Sequence, residues 1–216
     1  MRKQIMYLSM MIGLAACSSS QFTSLPVVKP QLPYHHVMTL FNYKQGDFRQ
    51  LDSAFYNKYL RSDFNSLDMA KVRMDLEKRI KNNLEGIGTK ITPSSDLYEV
   101  NHLYSFDEFK GTIDSNHFDA ILFVNLDDWW TTSQKQIVSM SNGTHYVKTD
   151  EEPNGSYKCY LYDMRMGKIV WMGTSTVWGI YAGYDTINGK LSRNLRRKLR
   201  SEGYITKKDL VYHEQQ

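Results

Sequence analysis

Nucleophiles, metal ligands and paired carboxylates are the residues whose spacing betrays a reaction, and this chain of 216 residues offers few of them. Gly173-Thr174-Ser175 begins the Gly-x-Ser-x-Gly turn that presents a serine nucleophile, but Val177 stands where the second glycine must be. Neither the His-Glu-x-x-His pair of zinc hydrolases nor a glycine-rich phosphate loop occurs. His35 and His36 are adjacent, so an extended backbone turns them to opposite faces and only one could reach a shared metal. Asp127-Asp128 and Asp150-Glu151-Glu152 read as solvated loop acids, with no feature that selects a general acid or base. Cys159 alternates with Leu161 across residues 157–162, which predicts a buried, inert thiol. No catalytic residue, metal ligand or cofactor is assigned, and the expectation is a binding protein rather than an enzyme.

Two surfaces remain as candidates for binding. The first is aromatic: Trp129-Trp130, with Trp178, Tyr181 and Tyr184 after a later strand. Adjacent tryptophans on a strand face opposite ways, so one of the pair is either exposed or covered by a neighbouring element. Exposed, it would suit contact with a protein or a saccharide. The second is basic. Residues 187–208 hold eight cations, Arg193, Arg196, Arg197 and Arg200 among them, against Glu202 alone. Such a stretch is either a solvated helix face or a contact for lipid headgroups, an anionic glycan or an acidic protein partner.

The elements that position these residues begin after an export signal. Arg2 and Lys3 precede an apolar stretch at residues 5–16 that is too short to span a membrane and ends in small residues. Leu14-Ala15-Ala16-Cys17 resembles the lipobox of bacterial lipoproteins. That resemblance implies a signal peptide at 1–16, acylation of Cys17 with chains such as palmitate, and membrane attachment through them. Ser18 rather than Asp follows the cysteine, which by the same resemblance favours the outer membrane with the domain facing the periplasm. An exported protein has no nucleic-acid partner to meet. With Cys17 acylated, Cys159 has no partner for an intramolecular disulfide. Residues 17–33, with three consecutive serines and then Pro26, Pro30 and Pro33, read as a tether holding the domain off the bilayer.

Residues 34–216 then read as one domain, because 41% hydrophobic residues and 28 aromatics exclude a disordered chain. Val37-Met38-Thr39-Leu40-Phe41 suits a first strand. Phe48, Leu51, Phe55 and Tyr59 form the stripe of a helix capped by Asp47. Met69, Val72, Leu76, Ile80 and Leu84 form the face of a second helix, and Ser105 with Glu108 has capping-box spacing for a third. Residues 118–126 make a central strand covered on both faces. Asn142-Gly143 marks a hairpin and Pro153-Asn154-Gly155 another turn, giving a meander of about five strands before a helix with Leu191, Leu195 and Leu199 on one side. The fold class is α/β (α+β): one domain with a mixed sheet, an antiparallel meander in the C-terminal half and helices packed on it.

Two stretches resemble a known group of envelope proteins. Phe118-Asp119-Ala120-Ile121-Leu122-Phe123-Val124, and then Tyr160-Leu161-Tyr162-Asp163 leading through Gly167 to Trp171, are similar to elements of CsgG-like and TolB amino-terminal-like periplasmic lipoproteins. The resemblance implies a non-enzymatic accessory or assembly factor that binds an envelope protein partner or forms a homo-oligomer. The same residues also make sense as architecture, with Asp163 bonding the turn, Gly167 at positive φ and Trp171 in the core.

Overall fold

The computed structural model describes residues 19–43, 48–140, 143–179 and 184–206. Six strands form one mixed sheet: β1 (Ser20–Pro26), β2 (His36–Asn42), β3 (Lys90–Pro93), β4 (Ala120–Ser139), β5 (His145–Asp163) and β6 (Lys168–Trp178). Their order is β1-β6-β5-β4-β2-β3, with β2 parallel to both β3 and β4 and every other pair antiparallel. Helices cover both faces, which is why the first part of β4, from Ala120 to Val124, is apolar at every position rather than at alternate ones.

One face carries α2 (Ala70–Leu84) and α4 (Tyr184–Ser201). Leu76, Ile80 and Leu84 of α2 and Ile187, Leu191, Leu195 and Leu199 of α4 close over Leu122, Val124, Cys159 and Trp171. Each such aliphatic side chain contributes about 1.5 to 3 kcal/mol on leaving water. The other face carries a short helix, α1 (Ser53–Phe55), that widens into a π turn at Tyr56–Leu60, and α3 (Phe106–Ser115). There Tyr56, Leu60, Phe109 and Ile113 pack on Ile121, Phe123 and Tyr160. Ser105 accepts from the Glu108 amide and Glu108 returns to the Ser105 amide, the reciprocal cap expected for α3.

Four expectations need correction. The sheet begins at Ser20, inside the expected tether at 17–33, because β1 pairs along β6 from Ser20↔Val177 to Pro26↔Trp171. The first helix starts at Ser53, where Asp52 accepts from the Phe55 amide. Phe48 and Leu51 pack from the preceding loop, and the π turn buries Tyr56 and Leu60 in place of Phe55 and Tyr59. Asp47 lies outside the described residues. Pro153-Asn154-Gly155 is no turn but part of β5. Pro153 lies just beyond the end of β6, where its missing N–H breaks no ladder bond, and its carbonyl accepts from Gly179. The acids at 127–128 and 150–152 therefore lie on strands, Asp127 beside a bulge in β4 and paired with Lys158 at 3.1 Å.

The meander is thus three long strands. β4 and β5 run on past the end of β6 as a two-stranded arm, residues 131–139 against 145–153, about 26 Å long at strand rise. Its turn includes Gly143 at φ +82°; Asn142 lies outside the described residues. The turn between β5 and β6 is built as expected: Asp163 accepts the amides of Arg165 and Met166, and Gly167 has φ +61°.

Candidate functional site

α4 is amphipathic by spacing. Lys190, Arg193, Arg196, Arg197 and Arg200 recur at three- and four-residue intervals on one side, and the buried leucines occupy the opposite side. The cations line a groove of about 860 Å³ whose other wall is Ser19 and Ser20, at the start of β1. Arg193 and Arg197 are exposed, and Arg196 is half-buried. Among the described residues no carboxylate pairs with Arg193, Arg196 or Arg197; the nearest internal partner is Asn194, whose Oδ1 accepts from Arg197 Nη2 at 3.3 Å. Five cations confined to one groove make a strongly positive potential that an anionic group would relieve.

The groove is held by bonds that join α4 to the sheet edge. Asn194 Nδ2 donates to Ser20 Oγ at 3.1 Å, and Ser24 Oγ donates to Glu202 Oε1 at 2.6 Å. The other Glu202 oxygen accepts from the Trp171 indole at 2.5 Å, so the one carboxylate of this segment is occupied by the scaffold. Just beyond it, Tyr204 Oη lies within hydrogen-bond reach of the Val28 and Val170 carbonyls. Burial, and then the charge of Glu202, push the Tyr204 phenol up to about 12. Asn83 Nδ2 reaches Ser192 Oγ at 3.0 Å, and Arg79 pairs with Asp185 at 2.7 Å, tying α4 to α2 along their shared face.

The expected surfaces separate into three places. Arg193, Arg196, Arg197 and Arg200 come together in the groove. Trp129 does not join them: it packs against the core beneath α2 and α4 and lines a small apolar cleft of about 200 Å³ with Tyr43, Met69, Val72, Leu126, Tyr157 and Asn188. Trp130 and Trp178 turn to the opposite face of the sheet, each paired with Asn154 between them. Asn154 is buried there and donates to Thr132 Oγ1 at 2.7 Å. All three tryptophans are half-buried, and Trp129 lies on the opposite face from the other two. Tyr181 lies outside the described residues, as do Cys17, Lys207 and Lys208.

Cys159 is fully buried with its thiol pushed up by burial, the opposite of a nucleophile's environment. His36 is held by Thr92 Oγ1 at 3.0 Å and lies against the Phe118 ring, whereas His35 faces the Gly88 carbonyl at 2.9 Å. Among the described residues no three His, Cys, Asp or Glu side chains are grouped to hold a metal ion.

Sequence reasoning missed the serine wall of the groove. The signal was present, since Ser20, Phe22 and Ser24 alternate inward along β1, but serine and proline content outweighed it. It also missed a buried ionic network. Glu77 accepts from the Phe41 amide at 2.9 Å, Ser94 Oγ at 2.6 Å and the Ser95 amide at 2.8 Å, with Arg73 Nε at 3.6 Å. Burial pushes the Glu77 carboxyl up against these bonds, and the network ties α2 to β2 and to the turn after β3.

No protein-family model matches the chain, and no curated protein matches it. Among solved structures, the PelC dodecamer from Paraburkholderia phytofirmans is 15% identical, with a TM-score of 0.45 over 88% of this chain and 100% of that one. A singly substituted PelC dodecamer from the same organism gives 13% identity and a TM-score of 0.46 over 86% and 98%. A PDZ domain protein from Parabacteroides distasonis is 9% identical, with a TM-score of 0.31 over 95% of this chain and 41% of that one. At these scores the similarities carry no functional argument.

Proposed function

We propose that the chain is a lipid-anchored protein of the bacterial envelope, attached through Cys17 to the outer membrane on its periplasmic side, and that it binds an anionic partner in the α4 groove rather than catalysing a reaction. The observation that carries this reading is the groove itself: Lys190, Arg193, Arg196, Arg197 and Arg200 converge on about 860 Å³ of open space, and the neighbouring Glu202 is turned into the scaffold. Arginine forks suit phosphate and carboxylate oxygens, and they retain their charge at any pH the envelope meets. The test is equilibrium binding of the purified protein to polygalacturonate and to phosphatidylglycerol vesicles. Salt should be raised from about 0.01 M to about 1 M, which shortens the screening length from about 30 Å to about 3 Å. Affinity for at least one probe should fall steeply over that range. Absence of binding to either at low salt, or binding indifferent to salt, defeats the reading.

A second reading, an accessory or assembly factor with a protein partner or a second copy of the chain, draws support from the β4–β5 arm. Ile137, Met140, Tyr146 and Val147 are exposed at its tip, an unusual concentration for a two-stranded ribbon. Crosslinking in intact cells should trap a discrete species that is lost when Ile137 and Val147 are both replaced by Ser. Persistence of that species in the doubly substituted protein would remove the arm from the account.

A further inference from the structure

The chain enters the sheet almost at once after Cys17. Ser19 and Ser20 border the basic groove and β1 starts at Ser20. Only one or two residues therefore lie between the cysteine and the groove, a reach of about 7 to 11 Å at full extension. The segment beyond is no spacer. β1 is zipped along β6, and it is fixed to α4 by Asn194 to Ser20 at one end and Ser24 to Glu202 further along. A domain attached in this way cannot stand away from the bilayer that holds its anchor, and the surface nearest the anchor is the groove.

Resting on the proposed lipid attachment and anionic ligand, we infer that the α4 groove is the bilayer-facing surface of the domain, and that its ligand is the phosphate of anionic lipid headgroups in the leaflet that holds the Cys17 acyl chains. Charge supports the orientation. The mature chain outside residues 187–208 has 17 basic and 22 acidic residues, so an anionic membrane attracts this face and repels the rest of the body. Arg193, Arg196 and Arg197, which no described carboxylate neutralises, supply the forks that phosphate oxygens accept from.

The arm fits the same placement. The register carries it past Trp178, whose amide bonds the Ser19 carbonyl, so it extends in the direction from which the chain enters. Polar side chains occupy both of its faces, Ser133, Lys135 and Thr149 on one and Thr132, Lys148 and Asp150 on the other. A hairpin that crossed the hydrocarbon would need one apolar face. α4 runs alongside β1, with Asn194 at Ser20 and Glu202 at Ser24, so a bilayer lying on the groove is parallel to the strands. The arm then runs along the headgroups instead of into the core.

The experiment places a fluorophore at one of two introduced cysteines in the acylated full-length product: Arg196→Cys in the groove, or Ser115→Cys at the exposed end of α3, on the opposite face of the sheet. Cys159 is buried and does not compete for the label. The protein is reconstituted in phosphatidylcholine vesicles with and without phosphatidylglycerol, and quenched by a headgroup nitroxide lipid. Quenching at position 196 should exceed that at 115 several-fold in anionic vesicles, and the difference should shrink in neutral ones. Equal quenching at the two positions in anionic vesicles overturns the inference.

A second arm uses the Cys17→Ser chain, which has no acyl anchor. Its partitioning onto phosphatidylglycerol vesicles should weaken about a hundredfold when Arg193, Arg196 and Arg197 are all replaced by Ser, at roughly fivefold per cation. Undiminished partitioning of the triple variant also overturns the inference. If polygalacturonate binds the groove while position 196 stays unquenched, the anionic-ligand reading stands and the headgroup assignment falls. If neither vesicles nor polygalacturonate bind, both fall together.

Discussion

Asp163 holds a buried tyrosine and a turn at the same time, and its removal should cost about 3 kcal/mol. Its Oδ2 accepts from the Tyr34 hydroxyl at 2.7 Å, and its Oδ1 accepts from the amides of Arg165 at 2.8 Å and Met166 at 2.7 Å. Asp163 and Tyr34 are each 1% exposed. In Asp163→Ala the Tyr34 hydroxyl loses its acceptor with no water to replace it, which costs about 1 to 3 kcal/mol. The two turn amides lie at the solvent edge and regain water. They lose only the surplus of a charge-assisted bond, about 1 kcal/mol together. Tyr34→Phe, by contrast, removes the donor and leaves the carboxylate its turn amides, at about 1.5 kcal/mol. The Tyr34 phenol is raised well above its ordinary value, first by burial and then by its bond to Asp163, so it remains a neutral donor throughout the working range. Urea unfolding of the wild type, the two single variants and the double variant closes the cycle. With a slope of about 2 kcal/mol per molar, Asp163→Ala should lower the midpoint by about 1.5 M, and the coupling energy should be about 1 to 2 kcal/mol. A midpoint shift under about 0.5 M, or coupling indistinguishable from zero, would show that the pair is incidental to stability.

Three further outcomes test the packing and the titration. A Cβ at Gly173 would lie 2.6 Å from Trp171 Cη2 and 3.1 Å from the Phe22 ring. Gly173→Ala should therefore cost about 1 to 3 kcal/mol and speed amide exchange along β1 more than along β4, whereas uniform exchange would disconnect β1 from that contact. On α4, Leu195→Ala, from a fully buried position, should cost about 2 to 5 kcal/mol, while Arg193→Ser on the exposed side should stay within about 0.5 kcal/mol; comparable thermal shifts would contradict the assigned faces. Burial first, and then the charge of Lys90, hold His36 below the ordinary 6.5. The folded state thus takes up its proton later than the unfolded state, and stability is lost as pH falls from 6.5 toward the lowered value. His36→Gln should flatten that decline in denaturant titrations across the window, and an unchanged slope would assign the acid sensitivity elsewhere.

What the sequence by itself determined was local. The Ser105–Glu108 box, the stripe of α2, the leucine face of α4 and the unbroken apolar run of β4 are readable because each reports its environment within a few residues of itself. Cys159 and Trp171 fell into the core by the same alternation. The tertiary structure decided what depends on a distant partner. Ser20–Pro26 looks like a tether until β6 supplies its ladder, and Ser24 meets Glu202, 178 residues along the chain. Pro153-Asn154-Gly155 reads as a turn until the end of β6 removes the need for the proline's N–H, so that β5 runs straight through. The tryptophans were separated by the pleat and the arginines brought together by the helix, yet only the docking of β1 gave those arginines a second wall. Edge-strand pairing is carried by backbone groups that every residue but proline possesses in full. Side-chain composition therefore announces the helix that carries the groove more clearly than the strand that closes it.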